Sequence, residues 1–452
     1  MLAMALVLAL PFAKGPYLQE LGTDGVTVRV EVSPPQPVTL EVTATATAAG
    51  GDGGGGKAGG DSGSSGSSTS GATKRLESKE AKAFHSLHVG ALDPARKYTY
   101  TVRAGGASQG GTFTTAPKDD AKEPFRFLLY GDNRSDPVAH AAVVRTMQQT
   151  PSDFLVNTGD YVEDGRDPAD WQQFFDAETP LLRDRCMFGC VGNHELIERA
   201  GDNYFRYLGA TIDPAKELPR LYGSFRWENA RFFTINGQNT FDSGAEIEWL
   251  KTALDQSLKE PGILWRIAVV HFGYRSAGPH GDNPRMLSAG VDRLLKEKKV
   301  DVVFSGHDHI YERGEEKGMR YVVSGGGGAP LYRVKQPLSS TRKFESTFHF
   351  VSVEVTEATL TLVAKRVDGS TLDTCSFGHG PGWDCDAKAP PVGATPASLP
   401  APGSSPAPKA SSSMCACTDV GSPAGSAPFA ALALGVAFAA ETCRRRRRRR
   451  HA

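Results

Sequence analysis

Cysteine is scarce in this 452-residue chain: there are seven, too few for a disulfide-built scaffold and without the spacing of a four-cysteine zinc site. Net charge is absent as well. The formal balance is zero, but seven arginines stand in one block, Arg444 to Arg450, so the body is mildly acidic and offers no distributed basic face for nucleic acid. Long apolar runs are missing too; the stretch Ala427 to Ala440 is marginal for crossing hydrocarbon. Glycine and proline are plentiful but concentrated in two stretches, and between these the composition is that of an ordinary globular protein.

The length exceeds one hydrophobic core, so a large domain, a smaller one and tails are expected. Residues 1–13, MLAMALVLALPFA, form an apolar run closing in an Ala-x-Ala-like site, read as a signal peptide without its basic start. The competing reading is a buried first strand, which an Ala/Leu-rich run leading into Lys14-Gly15-Pro16 suits less well. Cys375 and Cys385 flank a Gly/Pro/His-rich loop, where a disulfide clip would suit an oxidising compartment; two free thiols are the alternative. Residues 387–413 are Pro/Ala/Ser-rich and read as a disordered linker. Residues 414–452 hold Cys415-Ala416-Cys417, the apolar segment and the arginine block, the order of a C-terminal stop-transfer anchor.

Residues 14–117 alternate as short strands, with Val26 to Val32, Thr39 to Val42 and Tyr98 to Arg103 the clearest, which suggests a small β-sandwich. Residues 49–71, nearly all Gly, Ser and Ala, can bury nothing and read as a disordered insert between two of its strands. No catalytic residue types cluster there, so the module reads as a spacer or packing partner.

Residues 118–386 repeat a different pattern, a short apolar strand that stops abruptly at a polar ligand-type residue. Phe127 to Tyr130 precedes Gly131-Asp132, Phe154 to Asn157 precedes Gly159-Asp160, and Met187 to Val191 precedes Gly192-Asn193-His194-Glu195. Ile267 to Val270 runs into His271, and Val302 to Phe304 leads to Gly306-His307-Asp308-His309. Helical periodicity lies between them, at Ala139 to Gln149, Trp171 to Leu182 and Glu246 to Leu258. Strand, polar residue and helix in that order gather distant side chains on one edge of a sheet. Asp132, Asp160, Asn193, His271, His307 and His309 then form a mixed oxygen and imidazole set suited to iron, zinc or manganese rather than calcium. Two such ions about 3.5–4 Å apart need a bridging anion, for which Asp160 is the choice.

These motifs, in this order, resemble those of the calcineurin-like metallophosphoesterase superfamily. With Lys14 to Gln19 and Gly111 to Pro117, which look like the ends of a fibronectin type III-like domain, the resemblance narrows to purple acid phosphatases and covers about three quarters of the chain. It implies a four-layer αββα sandwich, an α/β (α+β) fold, behind a small fibronectin type III-like β-sandwich. It also implies two divalent or trivalent ions, the first held by Asp132, Asp160 and His309, the second by Asp160, Asn193, His271 and His307. His194 resembles the family's outer-sphere histidine, which assists phosphate binding and leaving-group protonation, and His280 sits where a second such histidine is found. The tail resembles the myxobacterial C-terminal sorting signal, implying membrane contact before processing, a sorting protease as partner, and a body that is exported, secreted or held at the cell surface.

The resemblance further implies hydrolysis of phosphate monoesters, as in an acid phosphatase, by direct attack of a metal-bound hydroxide with no phosphoenzyme. A phosphodiesterase or nucleotidase would use the same site, and a surface recognition protein with a degenerate site is the alternative of another class. Two positions depart from the family. Arg134 stands where purple acid phosphatases have Gly, and Glu163 replaces the iron-binding tyrosine, so no iron-tyrosinate colour is expected. Arg134 is read either as a clamp for a phosphate oxygen or as an ion pair with Asp136 or Glu163. His85, His88, His140, His349 and His379 read as satisfied core or surface residues, His140 being the one to watch because it lies on the helix after Asp132. The run Ser324 to Pro330 lacks a basic residue at P-loop spacing and reads as a tight turn rather than a phosphate cradle. Tyr311-Glu312-Arg313 is expected to buttress the site from behind.

Overall fold

The computed structural model describes residues 11–45, 72–119, 121–199, 201–209, 211–213, 218–238, 244–334 and 336–385. The first ten residues, the whole glycine-rich insert, the linker and the C-terminal tail lie outside the described residues, and with them the disordered-insert, sorting-signal and anchor readings. No helix among the described residues is long and apolar enough to cross a membrane.

Five strands make up the N-terminal module: β1 (Phe12–Gln19), β2 (Val26–Ala44), β3 (Thr73–Val89), β4 (Lys97–Ala104) and β5 (Ala107–Thr114). β2 pairs with β3 along its length, with β1 at its first half and with β4 at its second. The runs 26–32 and 39–42, read as two strands, are therefore one. Pro34 and Pro35 have no N–H to give the ladder, and the register with β3 shifts between Glu31 and Gln36, so the long strand breaks its pairing there and carries on. The leader's expected boundary falls inside β1, because Phe12 already pairs with Val32 and the Ala13 carbonyl accepts from Gln172 Nε2 at 2.9 Å. Phe12 and Ala13 are half-buried in this strand.

The remaining residues form β6 (Phe125–Tyr130), α1 (Pro137–Gln148), β7 (Phe154–Asn157), α2 (Pro168–Leu182), β8 (Cys186–Gly189), α3 (Asp202–Leu208), β9 (Thr211–Asp213), β10 (Leu218–Arg220), β11 (Gly223–Trp227) and β12 (Ala230–Ile235). They continue with α4 (Ala245–Ser257), β13 (Trp265–Val270), α5 (Pro284–Ser288), α6 (Val291–Glu297), β14 (Val302–Ser305), β15 (Tyr311–Glu316), β16 (Met319–Ser324), β17 (Thr341–Glu345), β18 (His349–Val355), β19 (Leu360–Arg366) and β20 (Thr371–Phe377). One sheet has the order β20-β19-β18-β6-β7-β8, the other β11-β12-β13-β14-β16-β15-β17.

Side-chain alternation shows how these sheets stack. Phe127, Leu129, Phe154 and Val156 share one core with Phe232, Ile267, Val269, Val302 and Phe304 of the other sheet. Their neighbours Leu128, Tyr130 and Leu155 face a second core containing Val143, Met147, Trp171 and Phe175 of α1 and α2. On the far side Ala268, Val270 and Val303 pack with Leu250, Leu254 and Leu295 of α4 and α6. Period-two strands buried on both faces between two helical layers give the expected αββα order. Helix starts are marked chemically: Asp136 caps α1 by accepting from Val138 and Ala139 N–H, each at 3.0 Å, with Pro137 in the first turn.

The N-terminal module packs on this body. Tyr17 Oη donates to the Tyr207 carbonyl at 2.8 Å, and Tyr100 Oη to that of Arg183 at 2.9 Å. A disulfide joins Cys375 to Cys385, while Cys186 and Cys190 are free and buried.

Candidate metal centre

Strands β6, β7 and β8 are mutually parallel, as are β13 and β14 in the facing sheet, so their C-terminal ends lie at a common rim. Asp132 follows β6, Asp160 follows β7, Asn193 follows β8, His271 follows β13, and His307 and His309 follow β14. Three of these, Asp132 (φ 58°), Asp160 (φ 58°) and His307 (φ 69°), adopt the left-handed conformation, which costs a residue with a Cβ roughly 1 kcal/mol or more. The neighbouring loops hold them there. Asp132 N donates to the Gly159 carbonyl at 2.9 Å, and His307 N to Asp132 Oδ2 at 3.0 Å. The preceding glycines are set by close approach: a Cβ on Gly192 would lie 2.1 Å from Asp160 Oδ1, and one on Gly306 2.3 Å from Asp132 Oδ2.

All six side chains converge. His271 Nε2 lies 3.2 Å from Asp160 Oδ1, 3.2 Å from Asn193 Oδ1 and 3.2 Å from His307 Nδ1. Donor atoms bound to one ion at about 2.1 Å stand roughly 3.0–3.4 Å apart, so His271 stands from each of the other three at the spacing that a shared cation imposes. His271 Nδ1 faces the Thr158 carbonyl at 2.8 Å and His309 Nδ1 that of Pro330 at 2.7 Å. Each carbonyl holds a proton on Nδ1 and aims the Nε2 lone pair at the rim. Beside the quartet, His309 Nε2 is 3.6 Å from Asp132 Oδ1.

The charge balance points the same way. Burial opposes ionisation of Asp160, but His271, His194 and Arg134 outweigh it and hold this carboxyl well below the usual range. Burial, only partly offset by His271 and reinforced by the charge on Asp160, pushes Asp132 up to about 8. Burial likewise works against a charge on His271, yet Asp160 lifts it to about 9. The protein alone thus sustains one of these two buried carboxylates, with a proton shared toward His271 where the quartet would hold a cation. The donor set fits metal ions at this rim.

Other expected residues fall at defined distances. His194 Nδ1 meets the Glu163 carbonyl at 2.5 Å, leaving Nε2 3.8 Å from Asp160 Oδ2. His280 is exposed, its ring centroid 4.2 Å from that of His307 and its Nε2 3.4 Å from Tyr332 Oη. Arg134 takes the ion pair with Glu163, at 2.8 Å, and adds one with Asp160 at 3.2 Å; Asp136 is spent on capping α1. His140 does not reach the rim: its Nε2 lies 2.7 Å from buried Glu178, which also accepts from Tyr130 Oη at 2.6 Å. Its place on α1 turns it toward α2, because the helix buries that face.

The glycine run after β16 is neither an open cradle nor a simple turn. Gly327 N–H is spent on the Gly131 carbonyl at 2.9 Å and Ala329 N–H on that of Asp132 at 2.7 Å. The run is glycine because it packs backbone to backbone on the Asp132 loop; a Cβ on Gly327 would meet Gly131 O at 2.4 Å. Glu312 accepts from Ala277 N at 2.7 Å and Tyr321 Oη at 2.9 Å, bracing the loop that carries His280. Arg313 and Tyr311 instead pair with Asp373, away from the rim.

Two residues with large roles in this geometry are not singled out by sequence. Glu195, fully buried, accepts from Asp160 N (3.0 Å), Tyr161 N (2.9 Å), Val162 N (3.3 Å) and Gly192 N (2.8 Å), fastening two ligand loops together. Asp308 accepts from the Ser276 hydroxyl and from His280 N at 3.1 Å. Their only signal is position, directly beside ligand-type residues in the Gly-Asn-His and His-x-His motifs.

Fold and rim together define a metallophosphoesterase architecture. The model of the calcineurin-like phosphoesterase family matches residues 125–311, so the chain carries a domain of that type. Its relatives include Arabidopsis thaliana purple acid phosphatase 21, 28% identical over 290 residues, which are 58% of this chain and 63% of that one. Arabidopsis thaliana purple acid phosphatase 4 is 25% identical over 295 residues, 58% of this chain and 85% of that one. Among solved structures, a purple acid phosphatase from yellow lupin seeds superposes with a TM-score of 0.65 at 16% identity, covering 81% of this chain and 74% of that one. PhoD superposes at 0.66 with 13% identity, covering 85% and 94%. These two show the fold.

Proposed function

We propose that this protein hydrolyses phosphate monoesters at the rim where Asp132, Asp160, Asn193, His271, His307 and His309 meet. The observation that carries this reading is the 3.2 Å spacing of His271 Nε2 from donor atoms of three other residues. When bound, a pair of iron, zinc or manganese ions supplies Lewis acidity and a water acidified toward neutral pH. Asp132, Asp160 and His309 would hold the first, and Asp160, Asn193, His271 and His307 the second.

The chain's own groups supply the rest. His194, oriented by the Glu163 carbonyl, presents Nε2 beside Asp160 and gives its proton to the departing alkoxide. His280, on a loop held by Asp308, binds a phosphate oxygen or shares that task. Arg134, fixed on one side by Glu163, clamps a phosphate oxygen. Next to it a cleft of about 550 Å³, lined by Ser135, Tyr161, Asp170, Gln173 and Phe174 among others, has room for the leaving group. The Cys375–Cys385 disulfide supports an exported protein, at the cell surface or secreted.

The test is metal quantification with hydrolysis of p-nitrophenyl phosphate and bis(p-nitrophenyl) phosphate. Metal-dependent turnover of the monoester is expected. Preference for the diester would make the protein a phosphodiesterase, and lack of turnover of either by metal-loaded protein would overturn the reading.

A further inference from the structure

The two halves of the rim are not equivalent. The second metal position has four side-chain donors spaced around a common point. The first has Asp132 and His309, 3.6 Å apart, and the outer oxygen of Asp160, and a guanidinium already bridges part of it. Arg134 Nε donates to Asp160 Oδ2 at 3.2 Å and its terminal nitrogen to His309 Nε2 at 3.4 Å, the atoms through which those residues would hold an ion. Its other terminal nitrogen donates to Glu163 Oε2 at 2.8 Å, outside the rim. The side chain is only 13% exposed, so these contacts are little screened by water.

Arginine cannot leave as a neutral group, and its planar fork engages several acceptors at once. An ion entering the first position must therefore take both Asp160 Oδ2 and His309 Nε2 from it. That ion must also settle against a fixed positive charge whose nitrogens stand 3.2 Å and 3.4 Å from the same two ligand atoms.

We propose that Arg134 makes the first metal position conditional: its guanidinium stands in for the cation there, so the protein holds one ion firmly and admits a second only as Arg134 gives up Asp160 and His309 while keeping Glu163. Released in this way, the guanidinium faces the adjoining cleft and is free for a phosphate oxygen, which couples the second ion to substrate. The inference rests on reading Asp132, Asp160 and His309 as ligands of the first ion.

The experiment is calorimetric titration of chelator-stripped full-length protein with Zn²⁺ and, separately, Mn²⁺, with bound metal counted by mass spectrometry after dialysis. Wild-type protein should retain one ion and take up a second with affinity lower by about 100-fold or more. In Arg134→Gln the second affinity should rise toward the first, and two ions should survive dialysis. Arg134→Lys, which keeps the charge and loses the fork, should fall between them, and thermal melts of all three proteins check that they fold. Inorganic phosphate should tighten the second ion in wild type and do so less in Arg134→Gln. Two equal ions in wild type, or a Gln variant with the wild-type affinity ratio, overturns the inference while leaving phosphoester hydrolysis standing. Failure of every variant to bind any ion overturns both.

Discussion

Replacing Glu195 by Gln should damage this protein almost as much as replacing it by Ala, although Gln differs by one group. Its Oε2 accepts from Asp160 N and Gly192 N, and its Oε1 from Tyr161 N and Val162 N. A glutamine amide can present oxygen to only one of these pairs; the other then faces an NH₂ that has nothing to accept with. Two buried N–H groups lose their partners whichever way the amide turns, at about 1–3 kcal/mol each, so a cost of about 2–6 kcal/mol is expected. Ala leaves four donors bare but opens space that water can enter, which limits its cost to about 3–5 kcal/mol. The assay is urea unfolding of chelator-stripped protein, comparing midpoints at equal slope. The same change frees the backbone of Asp160, which sits at φ 58°, so retained metal should fall with stability. A Glu195→Gln protein within about 0.5 kcal/mol of wild type and with full metal content would refute the reasoning.

His194→Ala should keep its bound metal while kcat on an alkyl phosphate such as glycerol phosphate falls about 10²–10⁴-fold, with a much smaller loss on p-nitrophenyl phosphate, whose leaving group departs without a proton. Gly192→Ala puts a methyl 2.1 Å from Asp160 Oδ1 and should lose metal and activity together, as read by mass spectrometry and turnover. His349 lies away from the rim; burial lowers it from 6.5 to about 4, so its neutral form is the one the fold stabilises. The unfolded chain takes up that proton first as pH falls. The stability involved is fully present above pH 6.5 and is lost on the way down to about 4, amounting to roughly 3 kcal/mol. In His349→Asn that part of the acid sensitivity should vanish from a series of urea unfolding curves.

Much of the rim could be read from sequence because its residues come at the ends of short strands. A parallel strand buried on both faces is a dense apolar run, and the chain must turn sharply to leave it, so Gly-Asp, Gly-Asn-His and Gly-His stand out against what precedes them. The helices α1, α2 and α4 came within a few residues of the expected spans for a similar reason, since one face of each is apolar at helical spacing. β3 was not legible. Its first half, Thr73 to Ala81, is rich in Lys and Glu and mostly exposed, so no apolar alternation marks it; pairing with β2 makes it a strand. Glu195 was invisible as a fastener because its partners are backbone N–H groups, which carry no residue identity. The contacts of Arg134 were open for the opposite reason. Asp136, Glu163 and Asp160 all lie within reach along the sequence or across the rim, and only the folded loops decide that Asp136 caps a helix while the other two take the guanidinium.

Shared cation binding by these scattered side chains can be seen outright by anomalous diffraction from a crystal of the metal-loaded protein. A peak at the metal's absorption edge is expected, enclosed by Asp160 Oδ1, Asn193 Oδ1, His271 Nε2 and His307 Nδ1. Metal found elsewhere, with that quartet held together by protons and hydrogen bonds alone, would contradict shared binding.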